Sequence, residues 1–147
     1  MTNTYKQIQI TNTTIGNVAT GAYMPYGRVT RRVNAPYNCC NTFVVTSSTA
    51  DTVVINDLGF YKVTYSLTAT AEAAGEVTIT LVANGVNLYS VSATADAAGV
   101  VNLTLPYTIR VCSSCSGAPE QVPVSLQIQN TGVALTEGTS NILIEKI

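Results

Sequence analysis

The sequence contains no histidine. It therefore lacks the commonest general base, the commonest metal ligand, and the Ser-His and Cys-His pairs that activate nucleophiles. Eight carboxylates remain, but most of them lie in or beside predicted turns, where a solvated charge is the ordinary explanation. We therefore expect a protein that is not an enzyme and that has no catalytic or cofactor-binding residues.

Charged residues are also scarce. They make up only 10% of the 147 residues, and seven basic against eight acidic side chains give a net charge of −1. This balance provides no overall field for attracting a polyanion, so nucleic acid is not an expected partner. No apolar run approaches the roughly 20 residues of a membrane span, and no membrane partner is expected. Few charges are available to cover a monomer's surface, which favours burial of faces between subunits.

The stretch from Gly59 to Thr94 has the clearest pattern. From Tyr61 to Ala69, apolar residues at odd positions alternate with Lys, Thr and Ser, the period of two that is typical of a half-buried strand. An Asn84-Gly85 dipeptide then separates two further runs of this kind. Because both residues tolerate the positive φ of a type I′ turn, the dipeptide predicts a hairpin.

Further strands are predicted at about residues 5–11, 43–46, 53–55, 101–111, 122–128 and 140–147, with a short one near residues 133–135. Pro106 has no backbone donor, so its strand should lie at a sheet edge or contain a bulge. Residues 22–41 form the least regular part, since they include Pro25, Gly27 and Pro36. Eight to ten strands with turns every 8–12 residues predict a single all-β domain, a sandwich or a barrel.

The irregular part also carries basic and aromatic residues, namely Arg28, Arg31 and Arg32 among Tyr23, Tyr26 and Tyr37. Such interleaving occurs in proteins that bind single-stranded nucleic acid. One cluster without net positive charge instead favours a packed loop or a subunit contact. Because the planar guanidinium pairs well with carboxylates, the three arginines are candidates for docking onto a protein partner.

The four cysteines allow three interpretations. Cys39 and Cys40 are adjacent, and Cys112 and Cys115 form a Cys-x-x-Cys in a predicted loop. If the two pairs meet, four thiolates could hold a tetrahedral zinc, although adjacent ligands strain such a site. Disulfides, linking the first pair to the second or bridging subunits, are favoured over zinc, and free thiols are the third alternative.

At residues 58–67 the chain reads Leu-Gly-Phe-Tyr-Lys-Val-Thr-Tyr-Ser-Leu, and at residues 81–85 it reads Leu-Val-Ala-Asn-Gly. These motifs resemble the tumour-necrosis-factor-like and complement-type globular-head superfamily, in which a Gly-x-Tyr-x-Val-x-Tyr strand and an Asn-Gly hairpin recur. The stretch from Ile142 to Lys146 resembles the strand that closes these domains. The likeness is closest to bacterial spore-surface head domains and short phage virion proteins, and it covers about residues 43–147.

The resemblance implies an antiparallel jelly-roll sandwich of about 8–10 strands that forms a homotrimer. It makes Tyr61, Tyr65 and Tyr89 candidates for core or trimer-axis packing. It also suggests a division of one compact domain into residues 1–40, an N-terminal strand with an irregular anchoring segment, and residues 41–147, the jelly roll.

Spore-surface heads usually follow a collagen-like Gly-x-y stalk, which this sequence does not contain. The resemblance therefore implies a structural protein at the capsid surface of a virion, a capsid decoration or head-fibre protein. Residues 1–40 would attach it to the major capsid protein or to another virion protein. The alternative is a tip protein of a phage, or of a bacterial spore or cell surface. Such a tip would bind a host glycan or protein through loops such as Asn84 to Tyr89.

Overall fold

The structure is a computed structural model that describes residues 5–34, 42–45, 50–115 and 119–147. The described residues form ten strands and no helix, and hence no helix that is long and apolar enough to cross a membrane. The strands are β1 (Lys6–Asn12), β2 (Arg28–Asn34), β3 (Phe43–Val45), β4 (Val53–Ile55), β5 (Gly59–Ala71), β6 (Gly75–Ala83), β7 (Val86–Ala95), β8 (Val100–Val111), β9 (Val124–Asn130) and β10 (Leu135–Lys146).

The strands make two antiparallel five-stranded sheets. The first sheet has the order β2-β1-β10-β5-β8, and the second has the order β3-β4-β9-β6-β7. Chain neighbours such as β4 and β5 lie in different sheets, so the chain crosses repeatedly between the layers, as it does in a jelly roll. The predicted all-β jelly-roll sandwich is confirmed.

The alternation along β5 decides which residues enter the core. Tyr61, Val63 and Tyr65 are fully buried, while the intervening Lys62 is exposed. Tyr65 contacts Tyr26 edge-to-face, with ring centroids 6.4 Å apart, and Tyr61 contacts Phe43 in the same way at 5.9 Å. Edge-to-face pairs set the positive ring edge against the negative ring face, so these contacts add to the stabilisation from burial.

The Asn84-Gly85 hairpin and the position of Pro106 are as predicted. Asn84 has φ 49° and Gly85 has φ 80°, the signs that a type I′ turn requires. Pro106 lies in β8, the edge strand of the first sheet, opposite Thr64 of β5. An edge strand is where a residue without a backbone donor is tolerated.

The N-terminal region differs from the prediction. Residues 28–34, expected to be irregular, form β2, and β1 lies inside the first sheet between β2 and β10. Ile8 and Ile10 of β1 are fully buried in the same core as β5 and β10. The described part of residues 1–40 thus supplies two strands of the sandwich itself.

The connection between β1 and β2 packs along the second sheet. Met24 donates its N–H to the Ile128 carbonyl oxygen at 2.7 Å, and the buried Tyr26 hydroxyl donates to the Leu126 carbonyl oxygen at 3.0 Å. The buried Asn130 amide donates to the Val18 carbonyl oxygen at 3.2 Å. These bonds fix the path of the chain as it enters β2.

Candidate assembly surface

The outward face of the first sheet carries no charge over its central rows on β1, β10, β5 and β8, although Arg28 and Arg31 of β2 end two of these rows. Directly opposed residues of neighbouring strands share a face of the sheet, so the register defines the surface. One row runs Thr11, Asn141, Ser66 and Thr104. We call the central rows the polar face, made of Gln9, Thr11, Asn141, Leu143, Thr64, Ser66, Thr68, Asn102, Thr104 and Pro106. None of these residues is charged, and all are at least partly exposed.

Several side chains of the polar face are hydrogen-bonded to one another. The Asn141 side-chain oxygen accepts from the Gln9 amide at 3.1 Å and from the Thr11 hydroxyl at 2.9 Å. The Thr68 hydroxyl donates to the Asn102 side-chain oxygen at 2.6 Å. A polar group that already has a partner costs less to bury than one without. The polar face is therefore suited to burial against another protein surface.

An apolar rim lies beside this face, where the edge strands of the two sheets approach each other. Tyr89 of β7 and Tyr107 of β8 have ring centroids 6.2 Å apart. The rim consists of Val86, Leu88, Tyr89, Val91 and Tyr107. Val86 is 46% exposed and Tyr89 is 43% exposed, so apolar surface remains accessible in the protomer.

The three tyrosines predicted to pack in the core or at a trimer axis lie in two different places. Tyr61 and Tyr65 lie in the protomer's own core, with no exposed surface, and Tyr89 lies on the apolar rim. Burial raises the pKa of the Tyr61 and Tyr65 hydroxyls, and the Asp57 carboxylate raises that of Tyr61 further. Both hydroxyls therefore stay neutral in the folded protein. Of the three tyrosines, only Tyr89 offers substantial surface to a second subunit.

The three candidate docking arginines lie on β2, the other edge of the first sheet. Arg28, Arg31 and Arg32 are all exposed. Within the described part of the chain, none of the three arginines makes an ion pair or a side-chain hydrogen bond. The two salt bridges there join Asp57 to Lys6 and to Lys146. Their guanidinium groups are therefore available to a partner.

An ionic cluster ties β1 and β10 to the start of β5. The Asp57 carboxylate accepts from Lys6 at 2.8 Å, from Lys146 at 2.9 Å and from the Tyr61 hydroxyl at 3.0 Å. Partial burial disfavours the charged carboxylate, but the three donors together outweigh this effect and lower its pKa to about 2. No sequence pattern predicts this cluster, because its members are up to 140 positions apart in the chain.

Replacing Asp57 with Asn should remove a pH-dependent part of the stability. Because the pKa of Asp57 is about 2 when folded and 3.8 ordinarily, the native chain gains stability above pH 4 and loses it as the pH falls toward 2. We expect Asp57→Asn to lower the free energy of unfolding by about 1–2 kcal/mol at pH 7 and by much less at pH 2. Urea unfolding at the two pH values measures the difference. An equal loss at both would contradict the assigned charge state.

The cysteines that the structure describes pair with each other. Cys112 and Cys115 form a disulfide with Cα atoms 5.9 Å apart, inside the range that a bridge permits. We expected Cys112 and Cys115 to bond to Cys39 and Cys40 or to another subunit, and this expectation is wrong for Cys112 and Cys115, which bond to each other. Cys39 and Cys40 lie outside the described residues. A disulfide leaves Cys112 and Cys115 without the free thiolates that the alternative zinc site needs. Within the described ranges, no group of three or more candidate ligands clusters.

A shallow cleft of about 330 Å³ lies at one end of the polar face. Its polar lining consists mainly of hydroxyls, from Thr13, Thr14, Thr68, Thr70 and Thr139, with the carboxylate of Glu137. Among the described residues that line the cleft, Glu137 is the one carboxylate, whereas hydrolysis of a glycosidic bond ordinarily uses a pair. The cleft therefore offers hydrogen bonds to a surface or ligand.

Comparison with known proteins identifies the fold through structure alone. No family model matches the sequence, and no curated protein matches it. Among solved structures, the PRD1 vertex protein P5 is similar with a TM-score of 0.59 and 16% identity, covering 97% of this chain and 96% of that one. The globular domain of zebrafish complement 1qA has a TM-score of 0.62 at 8% identity, covering 93% and 94% of the two chains. Eiger TNF from S. frugiperda has a TM-score of 0.67 at 10% identity, covering 100% and 94%.

These likenesses extend over nearly the whole chain, including residues 1–40, which the sequence motifs did not reach. The identities are low, so what the likenesses establish is the arrangement of the strands. The chain therefore has the jelly-roll fold that tumour-necrosis-factor-like proteins and complement globular heads share with the PRD1 vertex protein.

Proposed function

We propose that this chain is a non-enzymatic structural protein of a virion, a capsid decoration or head-fibre protein that forms a homotrimer. The observation that carries the proposal is the uncharged polar face beside an exposed apolar rim. The apolar rim is costly to leave in water, and the polar face is inexpensive to cover because several of its side chains are already hydrogen-bonded to one another. Likeness to a vertex protein of PRD1 over nearly the full length of both chains supports the virion context.

The two surfaces suggest how the subunits contact one another. The polar face lies on the first sheet and the rim lies along β7 and β8. If the rim of one protomer packs on the polar face of the next, the contact is heterologous, and a rotation that closes produces a ring. The resemblance to trimeric jelly rolls favours three subunits. Tyr89 would then be buried between protomers.

Attachment to the virion is assigned to the arginines of β2, with the major capsid protein or another virion protein as the partner. Deleting residues 1–40 is unsuitable as a test, because it also removes two strands and the buried Ile8 and Ile10. Arg28, Arg31 and Arg32 are exposed, so Gln can replace them without emptying the core. The triple substitution should leave the fold intact and release the protein from the virion.

The deciding experiment measures copy number in virions purified from the source of this sequence. Quantitative mass spectrometry, calibrated on the major capsid protein, should find hundreds of copies of this protein per virion. Native mass spectrometry of the isolated protein should give the mass of an assembly of three chains. After the triple Gln substitution, the trimer should persist and the copy number should fall at least about tenfold, as expected for lost charge-assisted contacts. Absence of the protein from virions would contradict the proposal.

A receptor- or glycan-binding tip is the second candidate, because the β6–β7 turn exposes Val86, Asn87 and Tyr89. The Asn84 amide is already engaged, since it donates to the Pro119 carbonyl oxygen at 3.0 Å and to the Gln121 carbonyl oxygen at 3.1 Å. Asn84 therefore positions the turn, and its neighbours would make the contacts. A tip protein would be scarce in virions and would bind host cells, which the copy-number experiment distinguishes from decoration.

A further inference from the structure

Strand β2 contains a β-bulge at Thr30. Gln9 of β1 opposes Arg31, whereas the next residue, Ile10, opposes Val29, so Thr30 has no partner in the ladder. The Thr30 hydroxyl donates to the Gln9 carbonyl oxygen at 3.2 Å and holds the extra residue in place. A bulge of this kind redirects the side chains that follow it, and bulges are frequent at sheet edges.

The bulge places Arg28 and Arg31 on one face of the sheet. In an uninterrupted strand, residues three apart point to opposite faces. Here Arg31 opposes Gln9 and Arg28 opposes Thr11, and both partners belong to the polar face. Val29 packs against the core instead. Arg32 opposes the buried Ile8 and therefore lies toward the other face of the sheet edge.

The same strand offers backbone hydrogen-bonding groups. Strand β2 ends the order of the first sheet, and β1 is its only strand partner among residues 5–34, 42–45, 50–115 and 119–147. An edge strand presents N–H and C=O groups to an extended chain that can add beside it. Two guanidinium groups flank this edge with no acidic partner in the described chain.

We propose that the β2 edge binds an extended acidic segment of a partner protein, which adds as a further strand and sets two carboxylates against Arg28 and Arg31. This inference rests on the proposed virion role and specifies how the partner docks. On the polar face, the positions opposite Arg31 and Arg28 on β1 are Gln9 and Thr11, two residues apart. An added strand should therefore carry its carboxylates in a Glu-x-Glu pattern.

A peptide fits this edge better than a nucleic acid does. A phosphate backbone would use the guanidinium groups but not the row of backbone donors and acceptors along β2. The chain's net charge of −1 adds no attraction for a polyanion. Arginine pairs bidentately with a carboxylate, which gives each contact a defined geometry as well as a charge.

The probe is an acetylated and amidated octapeptide of Thr and Val that contains two Glu residues separated by one residue. Titration into the full chain, followed by amide NMR, should shift the resonances of β2 and give a measurable dissociation constant. Arg28→Gln and Arg31→Gln should each weaken binding about tenfold, as expected for loss of one charge-assisted contact. Arg32→Gln removes the same charge from the other face and should change binding less than about threefold.

Three control peptides test the geometry. A peptide with two adjacent Glu residues, one with Gln in place of Glu, and one N-methylated at alternate residues should each bind at least about tenfold more weakly. Equal binding of the adjacent-Glu or N-methylated peptide would overturn strand addition. Equal loss in all three arginine variants, or no binding of any peptide, would overturn the assigned pair.

A single-stranded oligonucleotide that binds β2 more tightly than the acidic peptide would also overturn the inference. So would self-association of the Arg28→Gln/Arg31→Gln variant through β2, since the arginines would then serve to protect the edge. None of these measurements uses virions. Their failure would leave the copy-number result standing, whereas absence from virions would contradict the proposed function even if the peptide binds.

Discussion

Replacing Ser66 with Glu is expected to convert the proposed trimer into monomers. Ser66 is exposed near the centre of the polar face, between Asn141 and Thr104 in its row. A carboxylate at this position would be buried against the next subunit, and no residue of the polar face offers it a positive charge. Burial of an unpaired charge costs about 3–5 kcal/mol, so each interface should weaken at least about a hundredfold. Three equivalent contacts make the effect on the ring larger still.

The matched control is Ser92→Glu. Ser92 is also an exposed serine in the middle of a strand, but it lies on β7 and faces outward from the second sheet, opposite Thr78. Size-exclusion chromatography with light scattering and native mass spectrometry should show a trimer for the control and a monomer for Ser66→Glu, with the same circular dichroism spectrum for both. A trimeric Ser66→Glu variant would remove the polar face from the subunit interface.

The second large effect is expected for Gly27→Ala, just before β2. Gly27 has φ +94°, a conformation that costs a residue with a side chain about 1–2 kcal/mol. An added Cβ would also lie 2.5 Å from the Thr11 carbonyl oxygen and 2.7 Å from the Asn12 Cα atom. Both are backbone atoms of β1, so relief requires moving a central strand, at a further cost of about 1–3 kcal/mol. The expected total loss of stability is about 2–5 kcal/mol.

Gly21→Ala separates the two causes. Gly21 has a similar φ of +88°, but an added Cβ there meets no heavy atom within 4 Å. This variant should lose only about 1–2 kcal/mol. Urea unfolding of both variants measures the difference in the free energy of unfolding. Both variants are compared at the same protomer concentration, because the stability of an oligomer depends on concentration. Equal losses would show that β1 does not constrain the entry to β2.

Local patterns predicted most strands of this protein, and their failures have specific causes. The alternation along β5 and the Asn84-Gly85 turn depend on neighbouring residues alone, and both were confirmed. Strand β2 was missed because the bulge at Thr30 breaks the period of two, and Gly27 and Pro25 resemble loop residues. The predicted strand at 140–147 is the second half of a longer one, β10, which begins at Leu135 and in which Gly138 opposes Ala69 and continues the ladder. Val133 and Ala134, predicted as part of a short separate strand, precede β10.

The candidate assembly surface was predicted less completely than the strands. The scarcity of charge indicated burial between subunits, but not which face. Tyr61, Tyr65 and Tyr89 have similar surroundings in the sequence. Of the three, only Tyr89 lies on an edge strand, where part of its ring is exposed to solvent. Exposure of that kind depends on strand order. No local signal contains it.

Period-two alternation, turn dipeptides and the lack of histidine determined by themselves that this chain is an all-β sandwich or barrel without the commonest general base. These properties arise within a few neighbouring residues, where backbone sterics and side-chain chemistry act directly. The tertiary structure decided the pairing of distant strands: β1 inside the first sheet, Asp57 between Lys6 and Lys146, and Arg28 beside Arg31 on one face. Such contacts depend on how the two layers close around a shared core, which only the folded chain as a whole specifies.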